Sequence, residues 1–361
     1  MREHWGNCIT HFDAGAYTFI EEYFAAETRR VLLIGGAGFD PRTKIIATAL
    51  SLACGDRLTA LFVREERSEA APELQSKADA HETALIELVP LSKVIPIAIF
   101  DPQDNAPVGG SKIIDVLSVE LPKAKGITDI ILDMSALSMG IAFPSAKFLL
   151  DFAESDPSVN FHLLVASQPE LDALIVGEPA ERVQAVRGFT GNASTDSQYP
   201  KAKIWLPHLA PKRRTALEKI QATLNDVYKV CPVLPFPATD PRRADILIEE
   251  FGDQLRDEWN VDARDLMYVS ERNPLDCFRT IETLKKRYDK TVAGVFDPQL
   301  ILSPVGSKVM AAGAMMAAIK YDLNVQYVEA LRFEMEGDAD SAECFNLVHL
   351  WLHGPIYAGF V

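Results

Sequence analysis

A short motif recurs along this 361-residue chain at a nearly constant spacing. Residues 100–112 read FDPQDNAPVGGSK and residues 296–308 read FDPQLILSPVGSK, so both segments begin with FDPQ and end with GSK. A DPR tripeptide at 40–42 returns at 240–242, and the strand-like segment ILDMSAL at 131–137 is matched 194 residues later by VQYVEAL. Three matches in the same order, with offsets between 194 and 200 residues, predict an internal duplication.

Both halves of the chain alternate short apolar runs with helical patterns. In the first half the strand-like runs are at 31–37, 58–63, 94–100, 129–134 and 161–167. In the second half they are at 230–236, 266–271, 292–302 and 325–333. Asn273 followed by Pro274 predicts the start of a helix between two of these runs. Apolar strands separated by helices are typical of parallel sheets covered on both faces, so we expect an α/β fold with two Rossmann-like, doubly wound units related by duplication.

The same pattern predicts the domain organisation. We expect an N-terminal segment at 1–28, a first Rossmann-like lobe at 29–167 and a second at 204–361. Residues 168–203 between them include the polar stretch GFTGNASTDSQYP. A connection of this length is expected to be a lid or a mobile linker, because long loops in compact proteins usually have a function.

Composition limits the partners and the location. A net charge of -15 disfavours binding to long nucleic acid, and no apolar stretch approaches the ~20 residues that cross a bilayer. The first thirty residues lack the pattern of a secretory signal, and the five cysteines are scattered singly, as in reduced cytosolic proteins. His349 and His353 have the spacing of two helical metal ligands, but their aromatic surroundings favour packing. We therefore expect a cytoplasmic protein without a metal site or a membrane anchor.

The loop after the first strand is a candidate ligand site, because parallel sheets bind ligands at the carboxyl ends of their strands. Gly36 and Gly38 would let a phosphate approach the backbone, and Arg42 would pair with it through two hydrogen bonds. In the alternative interpretation the glycines only make a tight turn, Asp40 caps the helix and Arg42 pairs with a carboxylate. The glycine spacing matches the dinucleotide fingerprint GxGxxG only in part.

The two GSK triplets are candidate anion sites at helix starts. A glycine, a hydroxyl and a lysine in the first turn resemble the end of a phosphate-binding loop, although the residue order of a Walker A motif is absent. With the DPR arginine of the second half as a further clamp, the expected ligand contacts are Gly36, Gly38, Arg42, Gly110, Ser111, Lys112, Arg242, Gly306, Ser307 and Lys308. The helix after the second triplet is rich in small residues, which predicts close packing of the helix at Gly313 against the sheet or the other lobe.

A family resemblance rests on the segment SPVGSKVMAAG at 303–313 and on the duplicated Rossmann-like pattern. In both respects the chain resembles the CARF and SAVED sensor domains of prokaryotic antiviral systems. The resemblance implies that a cyclic oligonucleotide binds between two lobes and that Gly306, Ser307 and Lys308 contact its phosphates. Because no effector domain is recognisable in the sequence, it also implies a separate partner protein.

Three functions follow from these observations. The first is a sensor or regulatory component that binds a nucleotide or another phosphate-bearing ligand. The second is an enzyme acting on a nucleotide or sugar phosphate, with chemistry from Asp40, Asp133 or Asp240. The third is a structural subunit, in which internal carboxylates neutralise Arg42, Lys112 and Lys308. The motifs identify no catalytic base or nucleophile and no cofactor, so binding is favoured over catalysis.

Overall fold

The computed structural model of the protein describes residues 2–191, 199–292, 294–337 and 345–358. These residues form a seven-stranded sheet, a five-stranded sheet and a separate pair of strands, with helices between the strands. Most neighbouring strands run parallel. The predicted α/β class with two Rossmann-like units is confirmed.

The elements are numbered along the chain. The strands are β1 (Thr10–Phe12), β2 (Val31–Gly36), β3 (Leu58–Glu66), β4 (Ser92–Ala98), β5 (Asp129–Asp133), β6 (Asn160–Ser167), β7 (Ile175–Thr190), β8 (Lys201–Pro207), β9 (Val227–Val230), β10 (Val233–Pro235), β11 (Met267–Val269), β12 (Asp297–Ser303), β13 (Asn324–Met335) and β14 (Asn346–His353). The α-helices are α1 (Asp13–Tyr23), α2 (Ile45–Cys54), α3 (Pro72–Leu88), α4 (Gly109–Glu120), α5 (Met139–Ser155), α6 (Pro169–Leu174), α7 (Arg214–Thr223), α8 (Arg243–Glu250), α9 (Pro274–Thr291) and α10 (Lys308–Tyr321).

The chain divides into two compact units. The first contains residues 3–178 and the chain from 329 on, and the second contains residues 179–328. These limits differ from the predicted lobes at the C-terminal end, because β14 pairs with β6 and so belongs to the first unit. They differ also at 168–203, where the structure has α6, β7 and the start of β8 in place of a continuous loop. The part of the predicted lid at 192–198 lies outside the described residues.

The first unit is built on a seven-stranded sheet in the order β1-β14-β6-β5-β2-β3-β4. The five strands from β4 to β6 are parallel, and when they are numbered along the chain from β2 their order is 3-2-1-4-5, as in the Rossmann fold. β14 runs antiparallel to both β6 and β1. All residues of β2, β5 and β6 are buried, as their largely apolar sequences predict for central parallel strands.

The second unit has the strand order β7-β13-β12-β8-β9 and the parallel pair β10-β11. Asn273 caps α9 as predicted, since its side chain accepts the backbone N–H of Leu275 at 3.0 Å. Gly313 is closely packed as predicted, but its neighbour is α9 of the same unit and not the sheet or the other lobe. A Cβ atom there would overlap the carbonyl oxygen of Pro274 and would lie 2.8 Å from the Cβ of Cys277 on α9.

The repeated motifs match each other only in part. Asp40 and Asp240 form the same turn, in which each carboxylate accepts the backbone N–H of the arginine two residues later, at 3.0 and 2.9 Å. Both GSK triplets lie at the start of a helix that follows a strand. The two FDPQ segments are not equivalent, because the first follows β4 whereas the second leads into β12.

Candidate functional site

The order of strands in the first unit reverses next to β2. The strand that follows β2 in the chain lies on one side of it, and β5 lies on the other. Connections that leave β2 and β5 therefore diverge, and open parallel sheets bind their ligands at the carboxyl ends of strands at such a point. A ligand site is therefore expected at this edge of the sheet.

In the loop after β2, a carboxylate of the protein lies at the start of the following helix. The carboxylate of Asp40 accepts the backbone N–H of Arg42 at 3.0 Å, and the Thr43 hydroxyl donates to the carbonyl of Gly36. A Cβ atom on Gly36 would lie 3.3 Å from the carbonyl oxygen of Ala136, so this glycine is needed for close packing. The position at the helix start where a phosphate was expected is therefore filled by Asp40, as in the alternative interpretation of the sequence.

Arg42 is likewise engaged within the protein. Its side chain is buried, and its guanidinium forms ion pairs with Asp40 at 2.6 Å and with Asp172 at 2.7 Å. Asp172 lies on α6, 130 residues further along the chain. Because each of the three guanidinium nitrogens already donates to a carboxylate and the side chain is buried, Arg42 supports the loop.

Asp133 ends β5 beside this loop. It is buried, and its carboxylate accepts the backbone N–H of Ser135 at 2.8 Å. Burial raises the pKa of Asp133 to about 7, and the negative charge of Asp40 adds to the effect. Asp133 is thus divided between its protonated and ionised forms near neutral pH.

A cavity of about 300 Å³ opens next to the loop, at the carboxyl end of β3. We call it the β3 groove. Its walls include Gly38 and Phe39 from the loop, Leu74 from α3 and Phe333 from β13. The rings of Phe39 and Phe333 have centroids 5.5 Å apart. A flat apolar group of a ligand would find aromatic and aliphatic partners here.

Arg67 holds the inner side of the β3 groove together. Its guanidinium lies 2.9 Å from Glu65, 3.4 Å from Glu329 and 4.9 Å from the ring centre of Phe333. Glu65 also accepts the backbone N–H of Ser138 at 2.7 Å, immediately before α5. These contacts give the groove a fixed inner wall, so its shape does not depend on a ligand.

The outer side of the β3 groove carries the accessible charges. Glu66, the last residue of β3, is exposed and makes no ion pair within the described residues. Arg332 lies on the opposite strand with a side chain that is 45% exposed, and it pairs with Glu178 at 2.8 Å. A polar ligand would therefore meet an available carboxylate and a partly available guanidinium.

The first GSK triplet lies at a different strand end. Gly110, Ser111 and Lys112 are in the first turn of α4, after the edge strand β4. Several N–H groups of this turn already have acceptors, since Gly109 donates to the carbonyl of Ile99 and Ser111 to that of Val108. Lys112 makes no ion pair with any residue that the structure describes. The triplet does not contribute to the β3 groove.

The remaining expected residues belong to the second unit. Arg242 is exposed after β10, and Gly306 packs so closely on Ala210 that a Cβ atom would lie 2.7 Å from the alanine Cβ. Ser307 caps α10 by accepting the backbone N–H of Met310 at 3.4 Å, next to the half-buried Lys308. The expected contacts of these residues with a ligand remain predictions.

No protein-family profile and no curated protein sequence matches this chain. Among the described helices none is both long and apolar enough to cross a bilayer. Residues 2–191, 199–292, 294–337 and 345–358 contain no cluster of three or more His, Cys, Asp or Glu side chains suited to a metal ion.

A second polar network, which the sequence interpretation missed, joins four neighbouring strands of the seven-stranded sheet. His11 on β1 lies 3.0 Å from His349 on β14, and His349 lies 2.9 Å from His162 on β6. His162 in turn lies 3.2 Å from Asp129 on β5. We call these four residues the histidine relay. His349 and His353 lie on a strand and not on a helix, so their spacing of four places them about 14 Å apart along it.

The tautomers of the histidine relay follow from Asp129. Tyr23 and Thr128 donate hydrogen bonds to this carboxylate, at 3.1 and 2.6 Å. Burial opposes its ionisation, but the hydrogen bonds from His162 and Thr128 lower its pKa. His162 therefore donates from Nε2, and as a neutral ring it must accept at Nδ1 from Nε2 of His349.

The remaining ring of the relay is then determined as well. Nδ1 of His349 accepts a hydrogen bond from the Nδ1–H of His11, so every donor points towards Asp129. Burial lowers the pKa of His349 and of His162, which keeps both rings neutral. A sequence signal existed for two of the three histidines, because His162 and His349 interrupt apolar strands and a buried polar group needs a partner.

Proposed function

We propose that the first unit binds a nucleoside, or the nucleoside part of a nucleotide, in the β3 groove. One observation carries the proposal: an accessible carboxylate, Glu66, ends the strand next to β2, beside a cavity with aromatic walls. In Rossmann folds an acidic residue in this position hydrogen-bonds the ribose hydroxyls. The base would then lie between the loop after β2 and the start of α3.

The size and the walls of the groove support a small ligand. A volume of about 300 Å³ is at the lower end of the ~300–1,000 Å³ of ligand pockets, which suits one nucleoside. Phe39, Leu74 and Phe333 supply apolar contact for a base, and Gln75 and Arg332 at the rim supply polar contact. Because Arg67 fixes the inner wall, little ordering of side chains would oppose binding.

The charges of the groove argue against a strong contribution from phosphate. Asp40 already fills the helix start, Arg42 is paired, and Glu65 and Glu66 lie nearby. A phosphate would have to extend to Arg332 at the exposed rim. We therefore expect a nucleoside and its 5′-monophosphate to bind with similar affinity. The sensor role implied by the resemblance to CARF and SAVED domains is part of the same proposal, with one nucleoside of a cyclic oligonucleotide in this groove.

The proposal is tested by titration calorimetry of the purified protein with nucleosides, their monophosphates and cyclic oligoadenylates. Glu66→Gln should weaken nucleoside binding by about 10-fold or more, since hydrogen bonds to a charged group contribute about 1.5–3 kcal/mol. Gly38→Leu should abolish it, because nothing lies within 4 Å of a Cβ at Gly38 and the new side chain can enter the groove.

Gly15→Leu is the matched control. Gly15 lies on α1, and a Cβ there also meets nothing within 4 Å, so this variant should bind like the wild type. Failure of the wild type to bind any of the probes would refute the proposal. Binding that both groove variants leave unchanged would show that the ligand occupies another site.

A further inference from the structure

The second unit contains a groove of its own, which none of the sequence motifs indicated. It has a volume of about 380 Å³ and lies between α9 and residues 264–267, which lead into β11. Three arginines line it: Arg279 and Arg287 on α9, and Arg264 on the opposite side. We call it the arginine groove. The cavity thus brings three arginines together in a chain whose net charge is -15.

The carboxylates near the arginine groove are already balanced. Asp262 binds the guanidinium of Arg264 through two hydrogen bonds of 2.9 and 2.8 Å, and Asp265 pairs with Lys229 at 2.8 Å. The first pair fixes the plane of Arg264 and leaves its remaining N–H groups for another acceptor. Arg287 is exposed and makes no ion pair with a described residue. The groove therefore contains at least one arginine, Arg287, whose charge no described carboxylate balances.

The helix face in the arginine groove repeats donors at helical spacing. Residues 279, 283 and 287 are four apart, so they lie on one side of α9 over about 12 Å. The middle one is Thr283, whose hydroxyl makes no hydrogen bond within the described part of the chain, and Thr280 beside it also lines the groove. A row of arginine and hydroxyl donors suits an anion that has several acceptor oxygens.

The floor of the arginine groove is uncharged. Burial raises the pKa of the Cys231 thiol to about 11, so this side chain remains protonated at neutral pH. Leu266, Met267 and Leu284 add apolar surface. The cavity thus combines a cationic rim with an apolar floor, and its volume admits a molecule of metabolite size and not a polymer.

We infer that the arginine groove binds a small phosphate-bearing molecule, with its phosphate between Arg287, Arg279 and Arg264 and its organic part on the apolar floor. Planar guanidinium groups match the oxygens of a phosphate in pairs, and the threonine hydroxyls add neutral donors. This site is independent of the nucleoside proposed for the β3 groove, because all the residues that line it belong to the second unit.

The test uses inorganic pyrophosphate as the probe and titration calorimetry of the full chain as the readout. Pyrophosphate should bind more tightly than succinate, which carries carboxylates in place of phosphate groups, and its affinity should fall as salt rises. Arg287→Gln should weaken pyrophosphate binding by about 10-fold or more, because a charge-assisted hydrogen bond is lost. Arg279→Gln should weaken it in the same direction.

Arg256→Gln serves as the charge-matched control. Arg256 belongs to the same unit, lies outside the groove and has a side chain that is 75% exposed, so the variant should bind pyrophosphate like the wild type. Melting temperatures should not change in any of the three variants, because all three arginines are exposed.

Two results would overturn the inference. One is wild-type affinity for pyrophosphate in both the Arg279 and Arg287 variants. The other is equal affinity of the wild type for succinate and pyrophosphate. Gly38→Leu separates the two proposals, since it should abolish nucleoside binding and leave pyrophosphate binding intact.

Discussion

Gly313→Ala tests the packing between α9 and α10. The added Cβ would overlap the carbonyl oxygen of Pro274 and lie 2.8 Å from the Cβ of Cys277 and 3.0 Å from the backbone nitrogen of Phe278. Ordinary contacts of a Cβ atom begin at 3.4 Å. Two of the three opposing atoms belong to the backbone of α9, so no change of rotamer relieves the overlap and one helix must move.

The expected magnitude is the difference between two effects. Alanine favours a helix interior over glycine by about 1 kcal/mol, whereas overpacking a tight contact costs about 1–3 kcal/mol or more. With several overlaps against backbone we expect the second effect to win by about 2 kcal/mol. For a unit of this size the loss should lower the melting temperature by about 4–8 °C.

Calorimetric unfolding of Gly313→Ala and Gly15→Ala should show changes of opposite sign in stability. Gly15 is exposed in α1 with no atom within 4 Å of a new Cβ, so alanine should stabilise the protein by about 0.5–1 kcal/mol. A Gly313→Ala protein that melts at or above the wild-type temperature would refute the argument from helix contact.

Two further predictions concern titratable groups. The pKa of Asp133 in the folded protein is about 7, above the ~3.9 of an unfolded chain, so its contribution to stability is complete below about pH 4 and is lost as the pH rises towards 7. Urea unfolding should therefore show that the free energy of unfolding of Asp133→Asn, relative to that of the wild type, is about 2–3 kcal/mol higher at pH 8 than at pH 5. The same difference between variant and wild type at both pH values would contradict this. Because the pKa values of His162 and His349 are lowered, the contribution of these two histidines to the free energy of unfolding is fully present above about pH 6.5 and is lost as the pH falls below it. In an acid titration, nitrogen NMR should find both rings neutral and protonated at Nε2 at pH 6.5, and a His349 that is already charged at pH 6.5 would refute the relay.

The fold was predictable where the information is local. Continuous apolar runs such as the one in β2 identify buried parallel strands, and Asn273 with Pro274 identifies the start of α9. The sequence did not place β14 in the first unit, because nothing in the sequence of this strand indicates that it pairs with β6. Pairing over such a distance is decided by the tertiary structure.

The candidate site was harder to predict for the same reason. Arg42 had two interpretations, and the choice between them depends on Asp172, which lies 130 residues away. The β3 groove combines Gly38 with Phe333, and the histidine relay joins β1, β6 and β14. Periodicity shows that such residues are buried or exposed, but it does not show which of them meet.

The position of β14 has a consequence for synthesis on the ribosome. This strand lies between β1 and β6, yet the ribosome makes it roughly 190 residues after β6. At about 5–20 residues per second, β6 stays an open edge for about 10–40 s while the whole second unit is translated. An open edge pairs readily with other strands. The nascent first unit therefore passes through a period in which a chaperone or a neighbouring chain competes with β14 for the same edge.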